Sequence, residues 1–275
     1  MDAAEPAWFN RIFVLMAKLR IILLFFSAIG FAQTEWVSGL PNFPATATEF
    51  AGRDKYGNVY AIRNNNFIKF EDSRTYEFKN LDSGKISRVD LTNPLMIVLF
   101  YADFNRVIMV DNQLNEIRRI DFNAWPTPLV VTAVGMAAQN QLWIFDALSQ
   151  RIHLYDQNHK RLRQVSAPVT SVPVYFQSDF NYFQWINATG EWYVCDLFGK
   201  ITSLGTLPKY DQVQLLADGV AIFSNPEGLY VLKAGSQTPQ KVDLVEKSFK
   251  KFYYDTQFLT IFTPLGIKNY KITLP

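Results

Sequence analysis

Residues Gln141–Asp156 read QLWIFD-ALSQ-RIHLYD, two strand-like runs of six residues joined by a turn of four. Both runs are rich in β-branched and aromatic residues and both end in Asp, a pattern that is typical of an antiparallel β-hairpin. The same pattern occurs five more times in the chain. The second strands of these other hairpins begin near residues 67, 106, 200, 228 and 266.

The hairpins recur about every 40 residues, which is the length of one four-stranded propeller blade. Polar alternating runs such as Arg74–Phe78 supply outer strands, and runs such as Ile86–Leu91 supply first strands. The short step from 200 to 228 predicts a fourth blade without a full outer strand. The sequence therefore predicts an all-β chain folded as a single β-propeller of about six blades. A β-sandwich or barrel is the alternative, although the even succession of hairpins shows none of the long crossovers that it needs.

The two ends of the domain each contain an incomplete blade. The last hairpin, Phe258–Thr263 with Ile267–Leu274, is followed by no outer strand, and residues 34–37 form a strand-like run without a neighbouring partner. Pairing these two segments would satisfy an otherwise open sheet edge. We therefore expect the ring to be closed by pairing of the N- and C-terminal strands.

An apolar run over residues 21–32 is too short to span a bilayer, which takes about 20 residues. Lys18 and Arg20 precede it, and the small residues Gly30 and Ala32 end it. This order is typical of a signal peptide that is cleaved after Ala32. A buried or membrane-anchoring helix is the alternative interpretation.

The predicted organisation is a signal peptide over residues 1–32 and a propeller domain over residues 33–275. Residues 1–15 contain two acidic residues and do not resemble a basic signal-peptide start. Met16 is followed directly by Ala-Lys-Leu-Arg, so we expect translation to begin there. After cleavage, no direct membrane span is expected.

Charge and cysteine content restrict the compartment and the partners. The formal net charge is +2 without a Lys/Arg cluster, which argues against a nucleic-acid partner. Cys195 is the single cysteine, so no intrachain disulfide can form. An exported protein without disulfides indicates the periplasm of a Gram-negative bacterium.

The sequence shows no recognisable catalytic motif. His153 and His159 lack metal-ligand spacing, and Cys195 lies in a strand-like run without a partner histidine. Strand-end aspartates are expected to cap turns rather than to bind metal; they are Asp111, Asp146, Asp156 and Asp196. On these grounds we expect no catalytic residues, no cofactor and no metal, and thus no enzyme.

Apolar residues recur at the turns between second and third strands and in the connections between blades. Both are expected on one face of the disc, where they would form an apolar docking face for a protein. The alternative is that these side chains fold down between the blades. The candidate residues are Phe104, Trp125, Leu148, Tyr175, Phe176, Phe198 and Leu265.

Three segments resemble a family of exported propellers from bacteria that use the type 9 secretion system. They begin at Asp54 (DKYGNVYAI), Ser87 (SRVDLTNPLMIVLFYADFN) and Gln141 (QLWIFD), and the similarity runs over most of residues 50–275. The resemblance implies a periplasmic protein-interaction role. The concrete role it suggests is an accessory or plug-like subunit of the outer-membrane translocon.

Two functions follow from these features. The first is a non-enzymatic periplasmic scaffold that binds an envelope protein, such as the type 9 translocon, through the apolar face. The alternative is a small-ligand-binding or enzymatic propeller with its site at the mouth of the central channel. Clustered charged residues on the innermost strands would favour the alternative, and segments such as Ile86–Leu91 and Val130–Val134 contain few of them.

Overall fold

The fold is a six-bladed β-propeller, seen in a computed structural model. The structure describes residues 34–36, 49–71, 73–170, 172–243, 249, 251–255, 258–263, 266–272 and 274. The predicted signal peptide and Leu265 lie outside the described residues. No helix in the described ranges is long and apolar enough to cross a membrane.

Each blade is an antiparallel sheet of four strands, and all pairs join neighbouring strands of the meander. Blade 1 contains β2 (Glu49–Arg53), β3 (Val59–Arg63), β4 (Asn66–Glu71) and β5 (Arg74–Phe78). Blade 2 contains β6 (Arg88–Asp90), β7 (Ile97–Tyr101), β8 (Arg106–Val110) and β9 (Glu116–Asp121). Blade 3 contains β10 (Val131–Ala137), β11 (Gln141–Asp146), β12 (Arg151–Asp156) and β13 (Arg161–Gln164). Blade 4 contains β14 (Tyr175–Ser178), β15 (Tyr182–Ile186), β16 (Glu191–Asp196) and β17 (Ile201–Thr206). Blade 5 contains β18 (Gln212–Leu215), β19 (Val220–Asn225), β20 (Gly228–Lys233) and β21 (Gln240–Val242). Blade 6 contains β22 (Lys251–Asp255), β23 (Phe258–Thr263), β24 (Gly266–Ile272) and β1 (Thr34–Trp36).

Blade 6 combines both ends of the domain, as the sequence predicts. Strand β1 pairs with β24 in antiparallel register, with Thr34 opposite Ile272 and Trp36 opposite Tyr270. The N-terminal strand is therefore the outermost strand of a blade whose other three strands come from the C-terminal end. This pairing covers the sheet edge that β24 would otherwise leave open.

The apolar core lies between the blades. The second and third strands are the most buried; β7, for example, is buried over its whole length. Because the side chains of a strand alternate between its two faces, each blade contributes to the clusters on both sides. Five such clusters fill the spaces between successive blades from 1 to 6.

Blade 4 corrects one detail of the sequence-based assignment. The hairpin of β16 and β17 was predicted to contain the second and third strands, but these are the third and fourth strands. The preceding turn from β15 to β16, residues 187–190, has the same length of four residues as the turn at 197–200, so the local pattern fits either register. Blade 4 therefore has a full outer strand, and the third strands begin at regular positions, namely residues 66, 106, 151, 191, 228 and 266.

Candidate functional site

The six innermost strands enclose a cavity of about 650 Å³ on the axis of the ring. These strands are β2, β6, β10, β14, β18 and β22; each is the first strand of its blade in chain order, except that blade 6 also contains β1 as its outermost strand. All of them contribute residues to the wall of the cavity. A volume of this size is within the range of about 300–1,000 Å³ that is usual for small-molecule sites.

The innermost strands all run in the same direction, so equivalent residues form rings around the channel. We define the upper face of the propeller as the face at which these strands begin. The turns between the second and third strands lie on the same face. One residue of each strand near this face pairs with a residue close to the end of the second strand. This upper ring consists of Glu49, Arg88, Ala133, Tyr175, Gln212 and Lys251.

Arg88 reaches across blade 3 toward blade 4. Its guanidinium carbon lies 4.8 Å from the ring centroid of Phe176 and 5.6 Å from that of Tyr175. Blade 3 has the small, buried residue Ala133 at the equivalent position. No carboxylate among the described residues lies within ion-pair distance of Arg88. Burial raises the pKa of the Tyr175 hydroxyl, whereas the charge of Arg88 and its hydrogen bond to that hydroxyl act to lower it.

Lys251 is the second cation of the upper ring. Its Nζ donates a 2.9 Å hydrogen bond to the carbonyl of Phe50 and lies 3.8 Å from a carboxylate oxygen of Glu49. The pKa of Lys251 is lowered, mainly by burial; Glu49 raises it and the positive charge of Arg88 lowers it. Both side chains of the ion pair are partly exposed to solvent, 43% for Lys251 and 54% for Glu49. Exposed pairs of this kind are weak, so Lys251 is able to exchange its partner.

A second ring lies one pleat below the upper ring and ties the blades together. The inner edge of each innermost strand has no neighbouring strand, so its inward backbone groups need other partners. Side chains at this level hydrogen-bond to the backbone of the following blade. Four side chains make five such bonds. Asp90 Oδ2 accepts from the Met136 amide (2.6 Å), and Gln177 Oε1 accepts from the Leu215 amide (3.2 Å). Gln214 accepts from the Tyr254 amide (2.9 Å) and donates to its carbonyl (2.7 Å), and the Tyr253 hydroxyl donates to the Arg53 carbonyl (3.1 Å).

We call this second ring the belt. Its two remaining positions are glycines, and at each of them a side chain of the following blade fills the space. A Cβ added to Gly135 would lie within 3.1 Å of Ser178 Oγ and Cβ, and one added to Gly52 would lie 2.7 Å from a methyl group of Leu91. Ser178 and Leu91 each come one residue after the belt position of their own blade. The belt therefore closes all six junctions by one of two arrangements.

The innermost strands are more highly charged than the sequence analysis stated. Strand β6 provides Arg88 and Asp90, β2 provides Glu49 and Arg53, and β22 begins with Lys251. These strands are short, and only the closed ring brings their first residues to one cavity. The observation that was expected to favour a small-ligand site is therefore present.

The predicted docking residues do not form one face. Phe104 and Leu148 lie at second-to-third turns on the upper face, with 45% and 62% exposure. Phe198 is 91% exposed but lies in the turn between the third and fourth strands, on the opposite face. Trp125 packs against Tyr155 between blades 2 and 3.

Tyr175 and Phe176, the other two described residues of that prediction, lie in the wall of the central cavity. They belong to the innermost strand β14 rather than to a connection between blades. The position of Phe198 differs from the prediction because the hairpin in blade 4 was misassigned. The positions of Tyr175 and Phe176 differ because strand β14 was not recognised in the sequence.

The strand-end aspartates cap turns, as predicted. Asp111 Oδ1 accepts from the amides of Gln113 and Asn115, and Asp196 Oδ1 accepts in the same way from residues 198 and 200. Asp146 and Asp156 also accept amides of their own turns. The described residues contain no group of three or more His, Cys, Asp or Glu that could hold a metal ion.

The histidines and the cysteine lie away from the cavity. His153 is buried on β12, and burial lowers its pKa. His159 lies in an exposed turn, where its Nδ1 is 2.9 Å from Asp156 Oδ2. Cys195 is buried on β16; burial and the charge of Asp196 raise the pKa of its thiol to about 12, which keeps the thiol protonated at neutral pH.

Comparison with known proteins relates the chain to other propellers by fold alone. No family model matches the sequence, and neither does any curated protein. Virginiamycin B lyase from Staphylococcus aureus is 14% identical, with a TM-score of 0.56 over 85% of this chain and 82% of the lyase. A catalytically inactive His-to-Ala variant of that lyase with quinupristin gives 10% identity and a TM-score of 0.56, over 89% of this chain and 100% of the other.

Two structures from Bacteroides are similar in the same way. A member of the DUF4221 family from Bacteroides vulgatus is 10% identical, with a TM-score of 0.56 over 88% of this chain and 99% of the other. The extracellular domain of a putative one-component system from B. thetaiotaomicron is 12% identical, with a TM-score of 0.52 over 87% of this chain and 40% of the other.

These similarities correct the prediction that the chain is no enzyme. That prediction depended on the absence of a recognisable motif, yet virginiamycin B lyase is an enzyme with the same fold. The propellers similar to this chain have mixed functions. A missing motif in a propeller is therefore no argument against catalysis.

Proposed function

We propose that this chain is an exported β-propeller that binds, or acts on, a small ligand in its central cavity. The observation that carries the proposal is the cavity of about 650 Å³ whose mouth holds the charged side chains of Arg88, Lys251 and Glu49. Wall residues such as Tyr175 and Phe176 add apolar surface beside these charges. A concave site with apolar walls and a few convergent polar groups is the usual form of a ligand site.

The reaction of virginiamycin B lyase is not part of this proposal. In that lyase a His-to-Ala variant is catalytically inactive. The two histidines of this chain lie on the third strand of blade 3 and in the turn that follows it, and neither lines the cavity. We therefore infer a ligand chemistry based on Arg and Lys for this chain.

The periplasm is the compartment that we propose for this activity. The support is the signal-peptide pattern before residue 33 together with the lack of disulfides. The similar extracellular domain from B. thetaiotaomicron is consistent with export.

A variant that covers the mouth tests the proposal. Asp211 is exposed at the rim of the cavity, so Asp211→Trp places an indole over the opening. Asp218→Trp is the matched control, because Asp218 is also exposed and lies in the turn at the other end of the same inner strand. We expect small molecules from a periplasmic extract to be retained by the wild type and by Asp218→Trp, but not by Asp211→Trp, when native mass spectrometry is used to detect them. Equal retention by all three proteins, or none by the wild type, would contradict the proposal.

Docking of an envelope protein is a second candidate, favoured by the exposure of Phe104 and Leu148 on the upper face. The partner we propose is an outer-membrane translocon of the type 9 system, in line with the resemblance of the sequence. Changing both residues to Ser should reduce recovery of an outer-membrane partner from detergent-solubilised envelopes while the melting temperature stays unchanged. Unchanged recovery would remove this candidate.

A further inference from the structure

The cavity wall contains equal numbers of basic and acidic residues, but they differ in whether other groups of the protein already bind them. The basic residues in the wall are Arg53, Lys55, Arg88 and Lys251, and the acidic ones are Glu49, Asp90, Asp211 and Asp255. Asp90 is used by the protein itself, since its carboxylate accepts the amides of Thr92 and Met136. At the lower end, burial lowers the pKa of Arg53, while the charge of Asp255 raises it.

At the upper end the wall contains two cations, Arg88 and Lys251, and two carboxylates, Glu49 and the exposed Asp211. The guanidinium carbon of Arg88 lies over the ring of Phe176, 4.8 Å from its centroid, and the guanidinium also hydrogen-bonds to the Tyr175 hydroxyl. A guanidinium has five donors, so others are left for a ligand. Lys251 uses one of its three donors for the carbonyl of Phe50. Glu49 is the one acidic side chain of the upper ring, and its contact with Lys251 is long and exposed.

An arginine that lies over an aromatic ring and lacks a carboxylate partner fits an anionic group that offers two oxygens, such as a carboxylate or a phosphate. The rings of Tyr175 and Phe176 line the wall directly beside this arginine, so an apolar body attached to the anion would contact them. We propose that the ligand of the central cavity is an organic anion. Its carboxylate or phosphate lies between Arg88 and Lys251, and its apolar part packs against Phe176. This inference rests on the proposed function and specifies its ligand class.

Two probes that differ only in charge test the ligand class, namely naphthalene-2-acetate and its neutral amide, naphthalene-2-acetamide. In calorimetric titrations of the wild type we expect the acid to bind about tenfold more tightly than the amide, as one charge-assisted hydrogen bond allows. Arg88→Gln should weaken binding of the acid about tenfold and leave that of the amide unchanged. Glu49→Gln should strengthen binding of the acid, because it frees Lys251 and removes a repulsive charge.

Arg119→Gln is the matched control for the loss of one positive charge. Arg119 lies on β9, the outermost strand of the same blade, where it pairs with Glu116 at 2.8 Å, and it does not line the cavity. This variant should bind both probes as the wild type does. Melting temperatures of all variants show that each is folded.

The outcomes separate the two proposals. Equal affinity for acid and amide, both abolished by Asp211→Trp, would overturn the anionic ligand class and leave the cavity as a ligand site. Binding of either probe that Asp211→Trp does not change would place the probe outside the cavity and count against both proposals. If neither probe binds the wild type, the inference about an organic anion with an aromatic body is wrong.

Discussion

At the scale of single residues, one glycine determines how side chains of neighbouring blades meet on blade 3. Gly135 leaves the space for Asp90 of blade 2 and Ser178 of blade 4. A larger residue at this position would compete with both side chains.

Gly135→Ala should destabilise the fold by roughly 1–3 kcal/mol, because the new methyl group overlaps Ser178 Oγ and crowds Asp90. The second change Ser178→Ala removes the closest of these atoms and should restore part of the loss. Denaturant unfolding of both single variants and of the double variant measures this coupling. Strictly additive effects would show that the two residues do not share one space.

Asp121 gives a pH-dependent prediction. Its pKa is lowered, chiefly by the 2.7 Å hydrogen bond from Arg106. A carboxyl group with a lowered folded-state pKa stabilises the fold above its unfolded pKa of about 3.9, and this stabilisation disappears as the pH falls through the folded value. Asp121→Asn should therefore cost about 0.5–1 kcal/mol at pH 7, a small loss because the pair is partly exposed.

The free energies of unfolding of wild type and Asp121→Asn should converge in acid, as equilibrium denaturation at several pH values can measure. Asp103→Asn is the control, since Asp103 is an exposed carboxylate in the neighbouring turn. A difference between wild type and Asp121→Asn that stays constant down to pH 2 would mean that the ion pair is not its origin.

At the scale of elements, hairpins are easy to predict from sequence and innermost strands are not. A hairpin such as Gln141–Asp156 has its whole signal within one local stretch. The strand Arg88–Asp90 has three residues and a short pattern, and its importance depends on Lys251, which lies more than 150 residues away in sequence. The fold and its closure could therefore be predicted, whereas the sequence analysis did not single out Glu49, Arg88 and Lys251 and placed Tyr175 and Phe176 in a connection between blades. The docking face remains a prediction.

The belt of side chains below the upper ring explains how the short innermost strands are held in place. Gln214→Leu removes both hydrogen bonds to the backbone of Tyr254, and leaving buried backbone groups with fewer partners should cost about 1–3 kcal/mol. Gln240→Leu, on the outermost strand of the same blade, should have little effect because Gln240 is exposed. Denaturant unfolding compares the two variants, and an equal loss of stability in both would contradict the role of the belt.

At the scale of the whole molecule, the ring depends on three residues at its N-terminal end. Deleting Thr34–Trp36 exposes the edge of β24 and opens blade 6. We expect the melting temperature of the entire domain to fall and the amides of residues 266–272 to lose their protection from hydrogen exchange. Unchanged protection after the deletion would mean that closure does not depend on β1.

The central claim is that the channel of the closed ring is a site for a small organic anion. A crystal structure of the protein with naphthalene-2-acetate tests it most directly. The account predicts the carboxylate within hydrogen-bond distance of Arg88 and the naphthalene ring against Phe176, inside the channel. Density for the compound only at the outer surface, for example beside Phe198, with an empty channel would contradict it.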